Sequence, residues 1–562
     1  MTEETPRRPP AREPAARTYP HALPVVPVRA RGLTIEDADG RRYLDCLSGA
    51  GTLALGHNHP VVLEAIRKVL DSGAPLNVPG LTTPVEEAFV TELRHTLPPG
   101  LADRARVRFC GPAGIDAVST ACALVRAATG RTAILGFAGS EHGAGAGGQP
   151  LGTLGLTGRP LPYPQDYRCL FGVGGPHGAE LAARWTEAVL DGADTPVPSS
   201  WPTDAHGTPG ACEGDAAPRT TPWHPGSTMP ALPGLSDTPG LPGTGADTAP
   251  AGMILEPVQS EGVIPAPDAW LRRMRQLTAT RSVPLIVDES QTGVGRTGAF
   301  WAVEHSGVTP DVMILSKAIG GSLPLAAVVH RDDLLDAGEP APPPGPFRGN
   351  QLAMAAGAAT LAHVRHQRLA ERAAALGSRL LGRLREFARN FSCVGEVRGR
   401  GLMFGVELVD PEADAGPVTG EAPCSSSEGS GATTGVPLPY SQGGGVTRSA
   451  PGPYPAPPPR PPAPHLATAV QRECLRRGLI VGLGGDAGGL GAGESSVVRL
   501  LPPLTISDDQ AAAVLDRLAD ALAAVARDHS RHRIPQGRHH SRQPRPRGER
   551  QHETGDPAEP AR

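Results

Sequence analysis

The sequence predicts an α/β protein: a large domain built on a mainly parallel sheet between helices, joined to a smaller α+β domain. Three observations carry this prediction. Short runs rich in Val, Ile and Leu alternate with helical patterns through the middle of the chain, as happens when helices cover a parallel sheet. Two of these runs end in chemistry-bearing residues, Asp288 and Lys317, and ligands of open α/β sheets sit at the carboxyl ends of strands. Towards the C-terminus the pattern changes to strand-like segments and helices followed by one long helical stretch.

Taken in order, HPVVLEAIRKVLDS is an amphipathic helix. RTAILGF, AGMILEPV, VPLIVDES, PDVMILS and PLAAVVH are the strand-like runs. DAVSTACALVRAATG and DAWLRRMRQLTATR read as helices among them, and GNQLAMAAGAATLAHVRHQRLAERAAALGSRLLGRLREFA as helical sequence after them. VRGRGLMFGVELVD, AVQRECLRRGLIVG and VVRLLPPLTIS, followed by DDQAAAVLDRLADALAAVARD, compose the smaller α+β unit. Two stretches, roughly 196–250 and 411–463, are made of Pro, Gly, Ser, Thr and Asp without apolar periodicity. They are expected to be surface insertions, because structureless loops of that length do not fit inside a compact core and closing them costs little extra. Residues 1–20 and the Arg/His/Pro-rich tail from about 529 are expected to be disordered.

Composition narrows the function. A formal charge of −4 over 562 residues provides no basic field for a general nucleic-acid binder. There is no apolar run long enough for a bilayer and no signal-peptide stretch at the start, so a cytoplasmic, non-membrane protein is expected. The eight cysteines form no CxxC pair and no metal-spaced His/Cys cluster, which points to reduced thiols and no metal. Of 53 basic residues only Lys68 and Lys317 are lysines. A guanidinium neither loses its proton nor forms an imine, whereas an amine does both. Lys68 belongs to the amphipathic helix, where a solvated charge is the ordinary role. Lys317 ends a strand, and with Asp288 it is either a structural ion pair or part of a site.

Seven motifs weigh on that choice. LDCLSGAGTLALGHNHP, FCGPAGIDAV, ILEPVQSEGV, LIVDESQTGVGRTGAFWAVEHSGVTPDVMILSKAIGG, FRGNQLAMAAG, VRGRGLM and VVRLLPPLTI resemble, in this order, the class III aminotransferases. The resemblance runs from about residue 28 to 525, outside the two insertions. It implies the pyridoxal-phosphate (PLP)-dependent transferase fold type I, with a large PLP-binding domain over 76–345. The small domain would come from both chain ends, 21–75 and 346–528. It also implies a homodimer with active sites at the two-fold interface. Within that class, LPYPQDYRCLFG and GPFRGNQLA resemble the diaminobutyrate–2-oxoglutarate aminotransferases. Their substrates are amino acids and 2-oxo acids: 2,4-diaminobutyrate and aspartate semialdehyde, glutamate and 2-oxoglutarate. Two alternatives stay open: another PLP enzyme of this fold, and a non-catalytic homologue serving as a binding or scaffold subunit.

The resemblance assigns roles residue by residue. Lys317 matches the lysine that holds PLP as an imine and moves a proton. Asp288 matches the acid that keeps the pyridine nitrogen protonated, and Gln291 would sit near the ring's phenolic oxygen. Gly114 and Ile115, opening a helix, would offer backbone N–H groups to the phosphate. His142 belongs to the cofactor pocket. Arg398, in VRGRGLM, matches an arginine for the substrate α-carboxylate, which a guanidinium can grip at both oxygens. Glu261 matches a glutamate near the substrate, a gate between amino donors in some members.

Several positions depart from the family. Glu141 stands where an aromatic ring stacks on PLP, Ile115 where a Ser or Thr hydroxyl reaches the phosphate, and Pro346 where a Thr crosses from the partner subunit. Ser260 replaces a Gly, and Ser290 an apolar residue. These departures, with the long insertions, are what favour the scaffold alternative. A hydrogen bond to a charged group is worth roughly 1.5–3 kcal/mol, so losing two phosphate hydroxyls weakens PLP binding by about one to several powers of ten. PLP is therefore expected to leave the protein on exhaustive dialysis; quantitative retention would contradict this.

Overall fold

The computed structural model describes residues 23–140, 142, 160–192, 249–334, 346–413, 459–484 and 495–531. The expected N-terminal arm, most of both insertions, the tail beyond residue 531 and Glu141 lie outside the described residues.

The five strand-like runs supply five strands of a six-stranded sheet. Its order is Ala105–Phe109, Ala327–Arg331, Val312–Leu315, Leu285–Asp288, Gly252–Leu255, Ile134–Leu135. Only Ala327–Arg331 runs against its neighbours, so the sheet is mainly parallel, as expected. The strands Gly252–Leu255, Leu285–Asp288 and Val312–Leu315 are buried at every residue. That is why they read as continuous apolar runs rather than as alternating patterns. The helix Gly114–Thr129 packs Val118, Cys122 and Val125 into a cluster with Ile254, Ile286 and Ile314. The other cluster holds Met253, Val287 and Leu315 with Trp270 and Met274 of the helix Asp268–Thr280.

The long helical stretch is two helices, Gln351–His366 and Leu369–Asn390. Arg368 separates them with φ +51, a conformation that ends a helix. The C-terminal part builds an antiparallel sheet ordered Val394–Arg400, Met403–Leu408, Val497–Leu500, Gly482–Leu483. A further sheet joins Pro27–Arg31, Thr34–Asp37 and Arg42–Asp45 to Leu479–Ile480, which brings the two chain ends together. The last helix, Asp508–Arg531, extends to Arg531, slightly past the expected start of the tail at about 529. The described ends of the second insertion are pinned to each other, Asp410 N–H donating to the Pro461 carbonyl at 3.1 Å. Among the described residues no helix is long and apolar enough to cross a membrane.

Close backbone approach ties the two parts together. The Leu402 N–H donates to the Arg296 carbonyl at 2.9 Å, and the buried Arg296 guanidinium donates to the Leu402 and Pro502 carbonyls. Burial with no carboxylate partner pulls Arg296 down to about 10. Gly401 sits in this contact with φ +58, and a β-carbon there would lie 2.3 Å from the Thr297 carbonyl carbon. Gly401→Ala is expected to cost at least about 2 kcal/mol, through both strain and overlap. Its unfolding midpoint should fall by several degrees in calorimetry, and one within about a degree of the parent would contradict this.

Candidate active site

Two neighbouring parallel strands set the site. Ile314 lies in register with Asp288, so both chains leave the sheet on the same edge. After Ser316 the chain turns into the short helix Lys317–Gly320 with Lys317 at φ +53, a strained conformation for a residue with a side chain. Lys317 Nζ donates to Gln291 Oε1 at 2.9 Å, and Gln291 Nε2 donates to the Ala50 carbonyl at 3.4 Å. These groups open on a cavity of about 510 Å³. Its lining brings together Gly114, Ile115, His142, Asp288, Gln291 and Lys317, six of the residues singled out in the sequence.

Electrostatics sharpen the arrangement. Burial lowers the Lys317 amine most, and the Arg499 charge lowers it further against the opposing pull of Asp288, Glu256 and Glu261. The net effect lowers the amine below its ordinary value. Burial alone would raise Asp288, but His142, with Nδ1 3.3 Å from Oδ2, and the Ser290 N–H at 3.0 Å outweigh it. Asp288 is held below the ordinary carboxyl value and stays ionised. The adjacent Glu289 has the opposite fate: burial pushes it up to about 7 despite bonds from Thr292 and the Val303 N–H.

The residues present fit a PLP molecule. His142 Nε2, Glu256 Oε2 and Ser290 Oγ line the cavity, are buried, and have no protein hydrogen-bond partner among the described residues. Buried orphan atoms of this kind call for a ligand. Gly114 and Ile115 open the helix Gly114–Thr129, whose first N–H groups suit a phosphate. Asp288 suits a ring nitrogen, Gln291 a phenolic oxygen and Lys317 an aldehyde carbon. Ile115 supplies no hydroxyl. Pro346 does not line the cavity; its carbonyl accepts from Asn77 Nδ2 at 3.2 Å.

Arg398 is not brought to this cavity. Its Nη1 donates to Glu396 at 2.6 Å and Glu407 at 2.5 Å, and its Nε donates to the Gly262 carbonyl at 2.6 Å. It lines a second cavity of about 350 Å³. Nη1 and Nε are thus engaged, so in this structure the arginine expected from VRGRGLM faces its own carboxylates rather than the residues around Lys317.

Arg499 does not line the cavity either, but it bonds to Ser260, which does, and its charge acts on Lys317. It is fully buried in the strand Val497–Leu500, its Nη1 donates to the Ser260 carbonyl at 3.1 Å, and its Nε and Nη2 have no hydrogen-bond partner among the described residues. Glu261, the other substrate-side candidate, lies 3.6 Å from Arg499, within ion-pair range but beyond a hydrogen bond. The signal for Arg499 was present in VVRLLPPL: an arginine inside a strand otherwise wholly apolar. Glu256, directly after GMIL as Asp288 ends LIVD, was open to the same argument.

Comparisons with known proteins identify the family. The class-III aminotransferase family profile matches residues 15–162 and 244–522. The diaminobutyrate–2-oxoglutarate aminotransferase of Rhizobium meliloti is 42% identical over 525 residues, covering 92% of this chain and 90% of the relative. The enzyme of the same name from Haemophilus influenzae is 34% identical over 524 residues, covering 91% and 93%. A PLP-bound amine transaminase from an uncultivated Pseudomonas species shares the fold with a TM-score of 0.64 at 24% identity, covering 91% of this chain and 99% of that one. The chain belongs to the class III aminotransferases, enzymes that depend on PLP.

One consequence can be read directly, because the chain has two lysines. With ¹³Cε-lysine labelling, the signal lost in Lys317→Ala is expected to titrate below the ordinary lysine value, since its folded pKa is depressed. Titration at or above that value would contradict the burial argument.

Proposed function

We propose that the enzyme exchanges an amino group between the ω-amine of 2,4-diaminobutyrate and 2-oxoglutarate, giving aspartate semialdehyde and glutamate. The observation that carries this reading is the 42% identity to a diaminobutyrate–2-oxoglutarate aminotransferase over 92% of the chain. PLP, when bound, supplies the electron sink for proton removal at the substrate carbon. Lys317 would hold the cofactor, and its Nζ would serve as the base that moves the proton at that carbon; a depressed pKa suits an amine to this work. Asp288, kept ionised by His142 and Ser290, retains the proton on the ring nitrogen. Gln291 would orient the ring, and Gly114 and Ile115 would hold the phosphate through their N–H groups.

Arg499 takes the α-carboxylate of glutamate or 2-oxoglutarate through its unpartnered Nε and Nη2. Glu261, at 3.6 Å, covers the arginine loosely enough to be displaced when that carboxylate arrives. A homodimer belongs to the same reading. Leu76, Leu81 and Phe347 are 49%, 66% and 67% exposed, on segments joined by the bond from Asn77 to the Pro346 carbonyl. Such a patch suits a subunit interface. A cytoplasmic location is supported by the six described cysteines, all free.

The test is steady-state kinetics on PLP-loaded protein with diaminobutyrate, ornithine and 5-aminovalerate as donors. Diaminobutyrate is expected to give the highest kcat/KM, and Lys317→Ala to lower kcat at least about 10³-fold. Arg499→Met should raise the KM for 2-oxoglutarate by about two powers of ten, whereas Arg398→Met should lower the unfolding midpoint with little effect on that KM. A preferred donor other than diaminobutyrate would overturn the substrate assignment, and the reverse pattern for the two arginines the carboxylate assignment.

A further inference from the structure

Ser260 stands where relatives of this class usually carry glycine, and the proposed mechanism gives it no role. Its backbone does not require glycine's freedom, because its φ is not among the positive ones. What the serine adds is a bond. Ser260 Oγ donates to Glu256 Oε1 at 2.6 Å, and the Ser260 N–H donates to the same oxygen at 3.2 Å. Both residues are buried, at 8% and 5% exposure, so this doubly held oxygen works in a low-dielectric setting where such bonds are strong.

The other side of Ser260 faces the substrate arginine. Its carbonyl accepts Arg499 Nη1 at 3.1 Å, while Arg499 Nε and Nη2 have no hydrogen-bond partner among the described residues. Glu261, 3.6 Å away, pairs with the guanidinium by charge but makes no hydrogen bond to it. The directional hydrogen bond on the fork is thus the one from Nη1 to the Ser260 carbonyl, and where that carbonyl points depends on how firmly Ser260 is held. Glu256 is a firm anchor. It follows the fully buried strand Gly252–Leu255, and its own carbonyl accepts the Tyr163 hydroxyl at 2.8 Å. On the preceding residue, Gln259 Nε2 donates to the Ala138 carbonyl at 2.7 Å and to Ser140 Oγ at 3.1 Å.

We propose that Ser260 is a positioning residue: clamped to Glu256, it presents its carbonyl to Arg499 and so aims the guanidinium that receives the substrate carboxylate. The proposal rests on the reading of Arg499 as that carboxylate's partner. Ser260→Ala removes the hydroxyl bond of the clamp and keeps the weaker N–H bond, so the carbonyl is held less firmly; Ser260→Gly also loosens the backbone, and Ser260→Thr keeps a hydroxyl.

The experiment is calorimetric titration of the PLP-loaded full chain and its variants with glutarate, a dicarboxylate that binds without reacting. Ser260→Ala and Ser260→Gly are expected to weaken glutarate roughly three- to tenfold, with the cofactor absorbance spectrum unchanged, while Ser260→Thr stays within about twofold. Arg499→Met is the reference and should lose binding almost completely. If Arg499→Met loses glutarate and Ser260→Ala keeps it at parent affinity, the positioning role is overturned while the carboxylate assignment stands. If Arg499→Met also keeps it, both fall together. Equal weakening in Ser260→Thr and Ser260→Ala would likewise overturn the role, because it would trace the effect to packing rather than to the hydroxyl.

Discussion

Two parallel strands, Leu285–Asp288 and Val312–Leu315, are hydrogen-bonded in a register that leaves an acid and an amine on the same sheet edge. Nearly everything else in the site depends on that register. A one-residue slip would turn Asp288 to the opposite face of the sheet. The strands hold register because they are buried on both faces, in clusters that include Ile254, Ile286 and Ile314 on one side and Val287, Leu315 and Met253 on the other. The left-handed backbone of Lys317 is the local cost of aiming its amine into the cavity.

The site tolerates its buried charges because each is answered by a neighbour. Asp288 has His142 and Ser290, Glu256 has Ser260, and Arg499 has the Ser260 carbonyl and the nearby Glu261. The chain of contacts runs from the acid at the cofactor end, past His142 and Glu256, to the arginine at the substrate end. Ser260 is the link between the two ends. The atoms without hydrogen-bond partners among the described residues, His142 Nε2, Glu256 Oε2 and Arg499 Nη2, lie along this chain, as they should where a protein reserves donors and acceptors for ligands.

Much of this was legible in the sequence, for physical reasons. Fully buried parallel strands must be continuous apolar runs, so VPLIVDES and PDVMILS announced both the sheet and its functional ends. A chain that uses arginine almost everywhere made Lys317 stand out by the chemistry that arginine lacks. Arg398 and Arg499 show where this kind of inference stops. Both are arginines in strands of one antiparallel sheet, but only the fold reveals that Glu396 and Glu407 engage the first, while Nε and Nη2 of the second have no hydrogen-bond partner among the described residues. Strand pairing across long sequence gaps leaves no local signal. The two-residue strand Leu479–Ile480, pairing with Leu44 and Asp45 from the other chain end, is a further example.

The central claim is that Lys317 carries the cofactor, and one measurement meets it directly. The PLP-loaded protein is reduced with borohydride, which makes the attachment permanent, then digested and mapped by mass spectrometry. With two lysines in the chain, the pyridoxyl mass is predicted on the peptide containing Lys317 and absent from the one containing Lys68. A label on Lys68 alone, or on neither peptide, would contradict the account.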